Sequence, residues 1–258
     1  MLINHLPTLK LINKELQEKY AGKPVYIILS GSHLYGFPSA DSDFDYRGVF
    51  LAKTNKYIGI NDFPKQYRNE KNDLDIVLDE AKFACGKLLQ SNYNFLEHLY
   101  GEPLESTAEH LELRRIIGDG GISRTGLYKS YKGVATSNYD DYILKGRNTS
   151  SKKYLYVLRG LISGAYALNT GKIEPDITKL SHNYPEVDEL VRLKKDGGEW
   201  TSVGRVEKYD KLVDELFKEL RDANTTSNLP DEQDMDVKPK VDEWLKKYRL
   251  RYLDGYQS

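Results

Sequence analysis

The chain has 258 residues, 30% of them charged, and 38 Lys and Arg stand against 39 Asp and Glu for a formal net charge of -1. Such a length buries a substantial core as one large or two small domains, while the balanced charge excludes a whole-protein field for nucleic acid, so any such contact must come from a local patch. One cysteine, Cys85, excludes an intramolecular disulfide framework and suits a reducing cytoplasm, and the lack of a leader or a long apolar run predicts a soluble, cytoplasmic protein with no membrane partner.

Residues 7–21 read as an amphipathic helix. Pro7 suits a first turn, Leu9, Ile12 and Leu16 share a face, and Gly22 ends it. The apolar run at 25–29 reads as a buried strand, closed by Ser30-Gly31-Ser32, the small residues that a turn approaching phosphate requires. A second strand is predicted from near Asp43 to Ala52. Strand alternation would send Asp43 and Asp45 to one side and Phe44 and Tyr46 into the core. Carboxylates that close repel unless a cation lies between them. A hard divalent ion, Mg²⁺ or Mn²⁺, takes one or two carboxylates plus substrate phosphates, and the amides and hydroxyl of Gly31-Ser32 can hold further phosphate oxygens. The segment therefore reads as a nucleoside triphosphate site.

Two rival motifs fail on the letters. Gly31 to Gly36 has the spacing of a Walker loop, but Phe37 and Pro38 stand where its Lys and Ser or Thr belong. Asp41, Asp43 and Asp45 mimic the start of an EF-hand loop, yet Tyr46 replaces the turn glycine and Ala52 the bidentate Glu.

Residues 54–72 are polar, broken by Gly59 and Pro64, and read as a long connection over the site, a candidate lid. Residues 73–79 alternate as a half-buried strand whose polar face should adjoin Asp43 and Asp45. Residues 80–100 suggest two helices interrupted near 91–94, with Cys85 in their core and Glu97 and His98 as helix contacts rather than catalysts. Gly101 and Pro103 close this half. Further helices are predicted at 109–117, 127–144, from Ser151 to before Gly171, at 209–223 and at 241–253, with a polar linker or strapped loop at 224–240. On the helix that starts at Ser151, positions 152, 156 and 159 line one face, so Lys152, Tyr156 and Arg159 come together. The basic run Lys246, Lys247, Arg249 and Arg251 is expected to be a solvated face, and the 20 scattered tyrosines are expected to be packing residues.

Gly31-Ser32, ten intervening residues and Asp43-Phe44-Asp45-Tyr46 resemble the signature of polymerase-beta-like nucleotidyltransferases. The wording G-S-H-L-Y-G-F-P-S-A-D-S-D-F-D-Y-R-G is similar to the branch named for an RNA repair pathway. The likeness continues through D-L-D-I at 73–76, S-N-Y-N-F-L-E-H-L at 91–99 and L-K-G-R-N-T-S-S-K-K-Y-L-Y-V-L-R at 144–159, with a weaker echo in S-N-L-P-D-E from Ser227. The resemblance implies that Asp75 is a third carboxylate beside Asp43 and Asp45, with Asp73 as the fallback. It implies that Gly31 and Ser32 meet the terminal phosphates, that Lys152 and Arg159 contact the triphosphate, and that Tyr156 lies near base or sugar. His33 is left out of the chemistry. Arg47 is divided evenly between a brace on Asp41 or Asp45 and a phosphate contact.

The expected fold is α+β: a small mixed sheet with helices over residues 1–104, then a helical part over 105–258 that closes the cleft. The expected reaction is metal-dependent transfer of a nucleoside monophosphate from a triphosphate, releasing pyrophosphate, with an RNA or tRNA 3′ end as first acceptor. A protein or small-molecule hydroxyl remains the alternative, because this fold supports many acceptors. A non-catalytic nucleotide- or RNA-binding protein is the third reading, against which the intact Asp pair argues.

Overall fold

The computed structural model describes residues 2–58, 60, 62–70, 74–147, 149–198 and 201–251. Its five strands are β1 (Lys23–Leu29), β2 (Asp45–Leu51), β3 (Gln66–Asn69), β4 (Asp75–Glu80) and β5 (Pro103–Ser106), in the spatial order β3-β4-β2-β1-β5. Only β2 and β4 run parallel; the other neighbours are antiparallel. This is the mixed sheet of an α+β fold, and α1 (Leu6–Tyr20) lies on one face of it. Leu9, Ile12 and Leu16 of α1 pack with Ile27, Tyr46, Phe50, Ile76 and Leu78, the alternate strand residues that face the helix.

The opposite face of the sheet merges with the helices. These are α3 (Ala81–Leu88), α4 (Tyr93–Tyr100), α5 (Ala108–Gly118), α6 (Arg124–Asn138), α7 (Ser151–Thr170), α8 (Pro185–Gly197), α9 (Glu207–Thr226) and α10 (Val237–Arg251), and a single apolar cluster joins them to the sheet. Helix α7 is the centre of this half, packing on α6, α8 and α9. Ser150 caps its start, accepting from the Lys153 N–H, and Gly171 ends it at φ 70°. Gly164 lets α6 come close: a Cβ there would stand 2.8 Å from the Cβ of Tyr131.

Several expectations change. The segment read as a lid is instead partly an edge strand, because Gln66–Asn69 pairs with β4. Its start is pinned, since the Thr54 hydroxyl donates to the Arg249 carbonyl at 2.6 Å and the Arg249 guanidinium lies 4.0 Å from the Tyr57 ring centroid. Asp73 lies outside the described residues. Pro103 does not end the sheet half but starts β5, an edge position where its missing N–H costs no ladder bond. The division expected at 104/105 therefore falls inside a strand. Helix α8 was not anticipated. The loop between α9 and α10 is strapped down by N–H donation from Arg124 to the Pro230 carbonyl at 2.7 Å and from Asp234 to the Gly120 carbonyl at 3.0 Å. Among the described residues no helix is long and apolar enough to cross a membrane.

Candidate active site

Strand β1 ends at Leu29 and the chain turns through α2 (Gly31–Leu34), a single helical turn. Gly31 has φ 61°, and a Cβ there would collide with Oδ2 of Asp45. Only glycine allows the turn to lie against that carboxylate. The Ser30 N–H donates to the Asp45 carbonyl at 2.8 Å, which ties the turn to the start of β2. The Ser30 hydroxyl pairs with Nε2 of His98 at 2.9 Å. His98 is buried on α4, and burial, then the charges of Arg47 and Arg159, push its pKa down to about 3. It is a neutral ring that holds the turn rather than a proton carrier.

The parallel register sets Asp45 opposite Asp75. Arg47, two residues along β2 and so on the same face, lies between them. Its Nη2 donates to Asp45 Oδ1 at 3.2 Å and to Asp75 Oδ2 at 2.8 Å, while Nη1 donates to Asp75 Oδ1 at 3.2 Å. Burial raises the Asp45 carboxyl to about 6; Arg47 opposes this, and the hydrogen bond and charge of Asp75 reinforce it. Burial also works against ionisation of Asp75, but the hydrogen bond and charge of Arg47 hold that carboxyl below its usual value. Lys152, in the first turn of α7, adds positive potential at Asp45. The first turn of α7 thus brings a cation of matching sign to bear on Asp45.

Two half-exposed carboxylates that already share a guanidinium suit a hard divalent ion. Among the described residues no three His, Cys, Asp or Glu side chains group as a metal centre. Two carboxylates would leave most positions of a six-coordinate ion to phosphate oxygens and water, as Mg²⁺ commonly requires. Asp43 is not gathered with the other two. Strand β2 begins at Asp45, so alternation does not reach back to Asp43, which stands exposed before the strand. For the same reason Phe44 misses the core: it is 45% exposed, its ring stacked on His33 at 4.7 Å. Tyr46 is buried as expected.

The row 152, 156, 159 forms on α7 but turns inward. Lys152 stays beside Asp45. Tyr156 is half-buried, edge-on to Tyr35 and Phe37 with centroids 5.7 and 6.0 Å away, so it packs the segment after the Gly-Ser turn against α7. Arg159 is 1% exposed, bonded through Nη1 to both oxygens of Glu97 at 2.7 Å and stacked 3.7 Å over Tyr35. A guanidinium committed in this way has no open face for a triphosphate, which corrects the expectation for Arg159. Ser32 is buried on α2, its carbonyl accepting from the Phe37 N–H at 3.1 Å. Of the basic C-terminal run, Lys247 pairs with Glu112 and Arg249 with Glu80.

Sequence reasoning missed Lys194. It is fully buried on α8, and its Nζ donates to the hydroxyls of Ser39 at 2.9 Å and Ser42 at 3.0 Å. The helical half thereby grips the loop between the Gly-Ser turn and the aspartates. The signal was there: Lys194 continues the inward stripe Val187, Leu190, Val191 at helical spacing.

Similar proteins include the "Uncharacterized protein YcgL" of Bacillus subtilis (strain 168), 28% identical over 81% of this chain and 84% of the relative. The "Uncharacterized protein MJ0002" of Methanocaldococcus jannaschii is 26% identical over 87% of this chain and 94% of its own. A solved nucleotidyltransferase-like protein from Exiguobacterium sibiricum 255-15 aligns with 95% of this chain and 76% of its own at 11% identity, with a TM-score of 0.28. The decisive match covers residues 9–247, which take in the turn, both paired aspartates and Lys152. The chain belongs to the RNA repair pathway DNA polymerase beta family, RlaP, and is a nucleotidyltransferase.

Proposed function

We propose that the protein transfers a nucleoside monophosphate from a nucleoside triphosphate to a hydroxyl at an RNA end, with Asp45 and Asp75 as the metal-holding carboxylates. The observation that carries this reading is the placement of the two side by side in register, with Gly31 as the residue that lets the turn lie against Asp45. A bound Mg²⁺ or Mn²⁺ would neutralise the α-phosphate and lower the pKa of the acceptor hydroxyl. The acceptor oxygen forms its bond to the α-phosphorus as the bond to the β-phosphate bridging oxygen breaks, the hydroxyl proton passes to Asp75, and pyrophosphate leaves. Gly31 and Ser32 present backbone N–H groups to the departing phosphates, and Lys152 with the α7 N-terminus offsets their charge. Arg47 keeps the two carboxylates together until the metal–nucleotide arrives. Asp43, exposed just ahead of β2, would have to turn toward the pair to serve as a further ligand. Residues up to Ser106 are read as the catalytic core, and the helical remainder as the wall that closes the cleft.

The test is incubation with each α-labelled triphosphate, Mg²⁺ or Mn²⁺, and either total RNA or lysate protein. Label entering RNA, and lost in Asp45→Asn, is the expected result. Label entering protein would move the acceptor to the alternative class, and nucleotide binding without transfer under any condition would overturn the enzymatic reading.

A further inference from the structure

At the other end of the sheet a cavity of about 580 Å³ opens between the start of β3 and helix α3, lined by Lys65, Lys82, Phe83, Gly86, Lys87 and Gln90. Its volume is in the range of small-ligand sites. Glu80, the last residue of β4, also lines it, which puts it five residues along the strand from Asp75, about 17 Å at strand rise. The cavity is therefore separate from the carboxylate pair but on the same β-strand.

Its chemistry is cationic and aromatic. Lys87 and Lys65 hold their Nζ atoms 5.6 and 5.9 Å from the centroid of Phe83, which Phe95 supports edge-on at 6.0 Å. These distances are near the limit of a cation–π contact, so the flexible ammonium groups are only weakly held there and can swing to a ligand. Among the described residues none of the three lysines forms an ion pair. Of the two carboxylates in the wall, Glu80 is committed to Arg249 and to the Lys82 N–H, both at 2.8 Å, which leaves Asp62. Gly86 has nothing within 4 Å of a would-be Cβ, so the floor beside the ring is open.

A π-face flanked by mobile cations is what a single-stranded polynucleotide requires: a base stacks on the ring and the flanking phosphates meet the ammonium groups. We infer that this cavity seats a nucleotide of a single-stranded RNA acceptor at a distance from the reacting end, an inference that rests on the RNA-acceptor reading above. Because the contacts are stacking and charge, the site is tolerant of base identity and weakened by salt.

The test is fluorescence anisotropy of a labelled 12-nucleotide single-stranded RNA on the full chain in EDTA, so that metal and transfer play no part. Phe83→Ala should weaken binding at least fivefold, the lower end of the stacking range. The pair Lys65→Glu with Lys87→Glu should weaken it further and reduce the slope of log affinity against log salt by about 1.4, two phosphate contacts' worth. Gly86→Trp should block the cavity, while Lys218→Glu on exposed α9 should bind as wild type. Wild-type affinity in all the cavity variants, or equal affinity for duplex RNA, would overturn the inference. So would an absence of RNA binding by the wild type. Asp45→Asn separates the two readings, since it should bind RNA normally while losing transfer.

Discussion

Two clusters in this molecule are built from the same groups, carboxylate and guanidinium, and they differ in how far solvent reaches them. Glu97 and Arg159 are 0% and 1% exposed, and Glu97 also accepts from the Tyr131 hydroxyl at 3.0 Å. Every oxygen there is spoken for, and the pair bolts α4 to α7. Asp45, Asp75 and Arg47 keep 28%, 43% and 22% of their side chains exposed, so the carboxylates retain faces open to an incoming ion. A perturbed charged cluster is a candidate working site when it is open to solvent; one closed off in the core is architecture.

The largest expected effect breaks the architectural cluster. Arg159→Ala strands the buried Glu97 carboxylate and should cost roughly 3–5 kcal/mol of unfolding free energy in urea denaturation. Replacing both partners, Arg159→Met with Glu97→Leu, should recover most of that loss. Next comes the open cluster: Asp45→Asn should lower transfer about 100-fold or more, at or beyond the upper end of what losing even an outer-shell partner of a metal costs, with an unchanged denaturation midpoint. Arg47→Ala removes the cation that competes for the two carboxylates, so Mn²⁺ binding followed by electron paramagnetic resonance should tighten roughly two- to fivefold, the weight of a partly exposed ion pair.

A further effect, dependent on pH, concerns the link between the clusters. His98 would take a proton near 6.5 in the unfolded chain but only near 3 when folded, so acid favours unfolding. The stability of His98→Gln relative to wild type should be constant above pH 7. It should improve steadily as pH falls below 6.5, because the variant has no buried imidazole to keep neutral. A pH-independent difference would remove His98 from this role.

Much of this was legible in the sequence because short-range pattern governs it. The run 25–29, the Gly-Ser turn and the alternation at 75–79 specify strands that meet, and Asp45 and Asp75 come together as those strands require. What the sequence could not settle was where alternation stops and which way a helix row turns. Asp43 and Phe44 lie just ahead of β2, where strand periodicity no longer governs them. Residues 152, 156 and 159 do share a face of α7, but tertiary packing decides that this face leads from the cleft into the core, and Arg159 ends against Glu97. Pro103 reads locally as a stop, and only pairing with β1 makes it a strand start. Lys194 lies on the inward stripe of α8, a helix missing from the sequence reading, so nothing in that reading singled it out.

The central claim is that Asp45 and Asp75 act as one metal–nucleotide site, and isothermal titration of Mn²⁺ with a non-hydrolysable nucleoside triphosphate tests it most directly. Wild type should bind the complex, and Asp45→Asn and Asp75→Asn should each lose that binding while remaining folded. An Asp75→Asn protein that binds the metal–nucleotide as tightly as wild type would contradict the account.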